Sequence, residues 1–113
     1  MREETYSKAL RTLPREKAFY FFTSIGNYTG ENAASLKEFM EKISKVNAKS
    51  LEFHLYRGDF EKWITDVLED RRLAEDISRL QKTSLQGDNL RNQLYAIVSK
   101  RYNQLTSTTV ISF

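Results

Sequence analysis

A single histidine and a single tryptophan stand either side of an Arg-Gly-Asp in SLEFHLYRGDFEKW, residues 50–63. A histidine in water titrates near neutral pH. If Asp59 lies across a turn from His54, the carboxylate would orient the ring and raise its pKa, as a general base requires. Arg57 would then hold an anionic group while Trp63 closed a pocket over it. His54, Arg57, Asp59 and Trp63 are therefore the candidate ligand-binding residues. The plainer reading makes the stretch a corner between two helices, with the imidazole bonded to backbone groups exposed at the Gly58 turn. That architectural reading is preferred, because the other parts of an active site are missing.

Hydrolase chemistry needs a nucleophile, and no serine sits in a strand–turn–helix elbow or beside a glycine pair. The chain has no cysteine, which removes thiolate catalysis, zinc ribbons and disulfides together. With one histidine, any metal would rest on carboxylates such as Asp59, Asp66, Glu69 and Asp70, suiting Mg²⁺ or Ca²⁺. No EF-hand spacing is present, and Asp59 and Asp70 are better read as helix caps, so no metal and no cofactor is expected. All four glycines are isolated, which excludes a phosphate-cradling loop. The Arg57-Gly58-Asp59 tripeptide matches an adhesion motif by chance and is discarded.

The formal net charge is +3, with acids and bases interleaved throughout. A nucleic-acid binder concentrates cations on one face to neutralise phosphates. At about 100° per residue, Arg91 and Lys100 project on opposite sides of one helix, with Arg101 on a third bearing. Arg72 and Arg79 share a face with Asp76. The preferred reading is a solvated ion-pair surface, so nucleic-acid binding is the weakest of the functional alternatives. The charged opening, Met1 to Tyr6, lacks the apolar core of a secretory signal, and no apolar run approaches the ~18 residues of a membrane span. A cytoplasmic protein that does not enter membranes is expected.

One proline and four glycines in 113 residues leave room for long helices. Pro14 suits a helix's first turn and Gly26 the left-handed position after its end, so 14–25 reads as a helix. Phe19 to Phe22 would suit a buried strand equally, which leaves 17–25 open to either. Thr29 is the expected N-cap of an amphipathic helix over 30–46, with Glu38–Lys42 and Glu41–Lys45 pairs on its solvated face. Ser50 is the expected cap of a helix ending near Arg57, Gly58 its stop, and Asp59 the cap of the next helix, which carries Phe60, Trp63, Ile64, Val67 and Leu68 inward. Asp70 caps a helix to Lys82. A last helix runs to about Leu105, with Leu90, Leu94, Ile97, Val98, Tyr102 and Leu105 on one side.

Through AFYFFTSIGNYTG, AASLKEF, SLEFHLYRGDFEKWI, LAEDI and NLRNQL the chain resembles a family of small, mainly archaeal proteins of unknown function. The likeness covers roughly residues 17–102. Its most specific part is a His-x-x-Arg-x-Asp-Phe-x-x-Trp pattern at His54, Arg57, Asp59, Phe60 and Trp63. Where the family's pattern carries a glycine before Asp70, this chain has Glu69. Some relatives resemble regions attached to carbohydrate-active proteins, which implies an accessory module.

These readings converge on an all-α or mainly α fold, a compact single domain of five to six short helices over 1–105 with a C-terminal tail at 106–113. The expected function is a non-catalytic binding or scaffolding module acting through protein–protein association, with a protein partner or a homodimer. A small-ligand receptor or enzyme at the His54 corner is the alternative.

Overall fold

The computed structural model describes residues 8–107. Its first regular element after a short 3₁₀ turn at Arg15–Lys17 is a strand, β1 (Phe19–Ser24), hydrogen-bonded antiparallel to β2 (Asn27–Ala33). The all-α reading and the helix over 14–25 are therefore corrected to a mainly α fold with a β-hairpin. Alternation decides the conformation: Phe19 and Phe21 are buried while Tyr20 and Phe22 are half-buried, as on a pleated strand with one face inward. Gly26 is left-handed, φ 79°, but it turns the hairpin and does not end a helix.

Thr29 does not cap a helix. Its hydroxyl donates to the Phe21 carbonyl at 2.7 Å and accepts from Glu31 N–H, stitching a stretch where the strand register slips and Gly30 adopts φ 89°. The helix expected from residue 30 starts later, as α1 (Leu36–Ile43). Ser35 caps it by accepting Glu38 N–H, and the Glu38 carboxylate reaches back to Ala34 N–H at 2.8 Å. The first bond satisfies one of the donors every helix start leaves unpaired, and the second ties the residue before the cap to the first turn. Lys42 pairs with Glu31 of β2 at 2.5 Å, joining hairpin and helix.

Helix α2 (Ala48–Arg57) is capped by Asn47, whose side chain accepts from Lys49 N–H; Ser50 lies inside the first turn, buried. Gly58 ends α2 as expected, at φ 82°. Then come the short α3 (Asp59–Trp63) and a π-helical turn at Ile64–Leu68. Asp59 opens α3 without capping it by a side-chain hydrogen bond. Glu69, at φ 59°, makes the break that a glycine would make easily. Asp70 then caps α4 (Arg71–Gln81) by accepting Leu73 N–H. The longest element, α5 (Gly87–Ser107), buries Leu90, Leu94, Val98, Arg101 and Leu105. The expected tail at 106–113 begins on this helix and lies outside the described residues from 108.

Helices α1, α2 and α4 pack on α5, and the hairpin closes over α1 and α2. The centre is aromatic: Phe39 lies 5.2 Å from the Phe60 and Trp63 rings, and Phe19 lies 5.0 Å from Phe60. Burying each such side chain contributes about 1.5–3 kcal/mol. Among the described residues no helix is long and apolar enough to cross a membrane.

Candidate functional site

His54 sits in the last turn of α2, facing the edge of β1 that is turned away from β2. The local reason is the helical period: Ser50, Leu51, His54 and Leu55 form the buried stripe of this helix, and the strand packs on it. The imidazole is 4% exposed and meets the Phe19 ring at 4.8 Å and the Phe60 ring at 5.6 Å. Its Nε2 accepts from Phe22 N–H at 2.8 Å, and its Nδ1 lies 2.8 Å from Asp59 Oδ2. Because a backbone N–H can only donate, Nε2 is the bare nitrogen and Nδ1 carries the proton it gives to Asp59. The histidine thus joins strand to corner; the backbone group it satisfies is on β1 and not at the Gly58 turn.

Burial dominates its titration. Desolvation lowers the His54 pKa below the ordinary 6.5, against the opposing hydrogen bond and charge of Asp59, and Arg57 adds a smaller push in the same lowering direction. The expectation that Asp59 would raise the pKa holds for that one contribution and fails for the sum.

Arg57 is half exposed. Its guanidinium lies 4.7 Å from the centre of the Phe53 ring and 3.5 Å from Asp59 Oδ2. Asp59 therefore faces both His54 and Arg57. Trp63 stands apart: it is 7% exposed, its Nε1 donates to the Lys17 carbonyl at 2.8 Å, and its ring lies against Phe19 and Phe39. Three of the four candidates meet, and the tryptophan belongs to the core.

Those three border a groove of about 400 Å³ between β1 and α2, whose other walls include Phe22, Ile25 and Phe53. Ile25, at the hairpin tip, is 86% exposed. Among the described residues no group of three or more histidine or carboxylate side chains is arranged to hold a metal ion.

Two arginines had roles that reading each helix alone did not reveal. Arg91 donates to the Ile43 and Val46 carbonyls at 2.8 Å each, closing the end of α1. Arg101 is 9% exposed and forms a two-pronged pair with Asp70, 2.8 Å from Nε and 3.1 Å from a terminal nitrogen. The signal for Arg101 was present, since it falls on the Leu94, Val98, Leu105 stripe at three- and four-residue spacing.

The fold and site define a mainly α domain in which a β-hairpin is tied to a helical corner through one buried histidine. The chain belongs to DUF5752, a family of unknown function whose model matches residues 15–112. No curated protein and no solved structure matches the chain.

Proposed function

We propose that this domain is a non-catalytic binding module, and that the groove between β1 and α2 receives an apolar segment of a partner protein, a second copy of this chain being one such partner. The observation that carries the reading is a juxtaposition. Both nitrogens of His54 are engaged in holding the fold, while the groove beside them is walled by Phe22, Phe53 and the largely exposed Ile25. A general base needs a nitrogen within reach of a substrate proton. An exposed apolar wall with a charged rim is instead what a protein interface presents.

The test is Ile25→Glu, which alters the groove at a side chain that contributes little to the core. Wild type and variant are compared by quantitative capture from the native host and by sedimentation velocity. Loss of a captured protein, or of a self-associated species, with thermal stability retained is the expected result. Identical profiles would remove the proposal.

A receptor for a small anionic ligand is the alternative at the same corner, favoured by the half-exposed Arg57 guanidinium on the groove's rim. Titration with small carboxylates separates the two: amide shifts at Phe53, Arg57 and Asp59 that Arg57→Gln abolishes belong to the receptor.

A further inference from the structure

We propose a second site, on the face between α4 and α5, that binds a small organic phosphate monoester. A groove of about 530 Å³ runs there between the two helices, within the size range of small-molecule pockets. Four cations line it: Arg72 and Arg79 from α4, Lys100 and Arg101 from α5. Taken one helix at a time these residues make no basic stripe, yet the packing of α4 on α5 turns both sets toward one space.

Two of the four charges are answered. Arg79 is hydrogen-bonded to Asp76 one turn earlier, and buried Arg101 is clamped by Asp70. Arg72 and Lys100 form no ion pair among the described residues. The groove therefore holds two uncompensated positive charges, the complement of a phosphate monoester, which carries nearly two negative charges at neutral pH. Asp70 and Gln104 hold the Arg101 guanidinium in place, its Nη1 donating to Gln104 Oε1 at 3.3 Å, so Arg101 shapes the groove wall while Arg72 and Lys100 supply the donors. Leu80 and Ile97 supply an apolar wall, against which the organic part of the ester lies. Inorganic phosphate would leave that wall unused, and a long polyanion would next meet the hollow of Arg71, Arg79 and Lys82, where Glu61 and Glu75 oppose it.

The test is an amide NMR titration of the whole chain at low ionic strength with adenosine monophosphate, adenosine and inorganic phosphate. Adenosine monophosphate should shift residues 72–83 and 97–104, inorganic phosphate should bind more weakly at the same residues, and adenosine should shift none. The Arg72→Gln/Lys100→Gln double variant changes two exposed side chains and should weaken binding about tenfold, as expected for two lost surface charge contacts. Asp76→Asn releases Arg79 and should tighten it. Lys37→Gln/Lys49→Gln, which removes the same charge elsewhere, should leave affinity unchanged.

The proposal is overturned by equal binding in the Arg72/Lys100 variant and wild type, by equal loss in the Lys37/Lys49 variant, or by no shift at millimolar ester. Preference for a single-stranded oligonucleotide over the monoester would also overturn it, in favour of a nucleic-acid surface. None of these results bears on the groove at Ile25, which lies on other elements.

Discussion

His54 ties Phe22 of β1 to Asp59 of α3, accepting a hydrogen bond at Nε2 from the strand N–H and donating one from Nδ1–H to the carboxylate, each at 2.8 Å. The hairpin has only two strands, and such a pair is marginal in water without packing against something else. The imidazole is thus a polar fastener between the hairpin and the helical body, set among aromatic rings that exclude water from it.

Replacing His54 by alanine should cost about 2–3 kcal/mol, because it leaves Phe22 N–H without its acceptor and opens a cavity beside Phe19 and Phe60. Chemical denaturation followed by the emission of buried Trp63 measures this. A loss below ~0.5 kcal/mol would show that the hairpin does not depend on the fastener.

Stability should also fall on mild acidification. The folded-state pKa of His54 is depressed below 6.5, so the unfolded chain takes up the proton first. The contribution of neutral His54 is complete above pH 6.5, declines as pH falls through the interval down to the folded-state pKa, and is constant below it. Its slope is at most about 1.4 kcal/mol per pH unit. The structural reason agrees: a protonated Nε2 would point its hydrogen at Phe22 N–H. Denaturation curves from pH 7.5 to 5 should show this slope in wild type and lose it in His54→Ala.

The Asp70–Arg101 pair is buried on both sides. Arg101→Met should destabilise by about 3–5 kcal/mol by stranding the carboxylate, while a second change, Asp70→Asn, should recover part of that loss. Asn keeps the ability to cap α4 at Leu73. A double-mutant cycle gives the coupling; simple additivity would contradict the pairing.

Glu69 holds a left-handed backbone, at φ 59°. For a residue with a Cβ this costs roughly 1 kcal/mol that glycine avoids. The Lys8–Glu69 ion pair, about half exposed on each side, offsets little of it. Glu69→Gly should therefore be neutral to stabilising, by up to about 1 kcal/mol, despite the added freedom of the unfolded chain. A marked fall in melting temperature would refute this.

Gly58→Ala should go the other way. The added methyl meets only the Gln81 amide at 3.6 Å, an ordinary contact, so the expected loss of about 1 kcal/mol is conformational, from φ 82° alone. A much larger loss by thermal unfolding would indicate that α2 and α3 cannot shift to relieve it.

What the amino-acid sequence determined by itself is local. The periodicity of Leu73, Ala74, Ile77 and Leu80, and of Leu90, Leu94, Val98 and Leu105, marks two helices, because burial on one side leaves a repeat near 3.6 residues. Gly58 and Asp70 punctuate as their chemistry requires. Phe19, Phe39, Phe60 and Trp63 could be assigned to the core from their size and spacing. Tertiary structure decided everything that depends on a distant partner. Phe19 to Ser24 suits helix or strand about equally, and the choice fell to strand because residues 27–33, of which 30–33 read as the start of a helix, supply the other half of the hairpin. His54, Arg57 and Asp59 were legible as neighbours at one corner, but the partner of His54 Nε2 is Phe22 N–H, which lies 32 residues away. Arg101 meets Asp70 across 31 residues, and Arg72 and Lys100 share a groove only because α4 lies on α5. Hydrogen bonds and charge clusters of this kind leave no periodic trace along the chain. Which groups meet is set by the packing of whole elements, and the polar contacts follow from it.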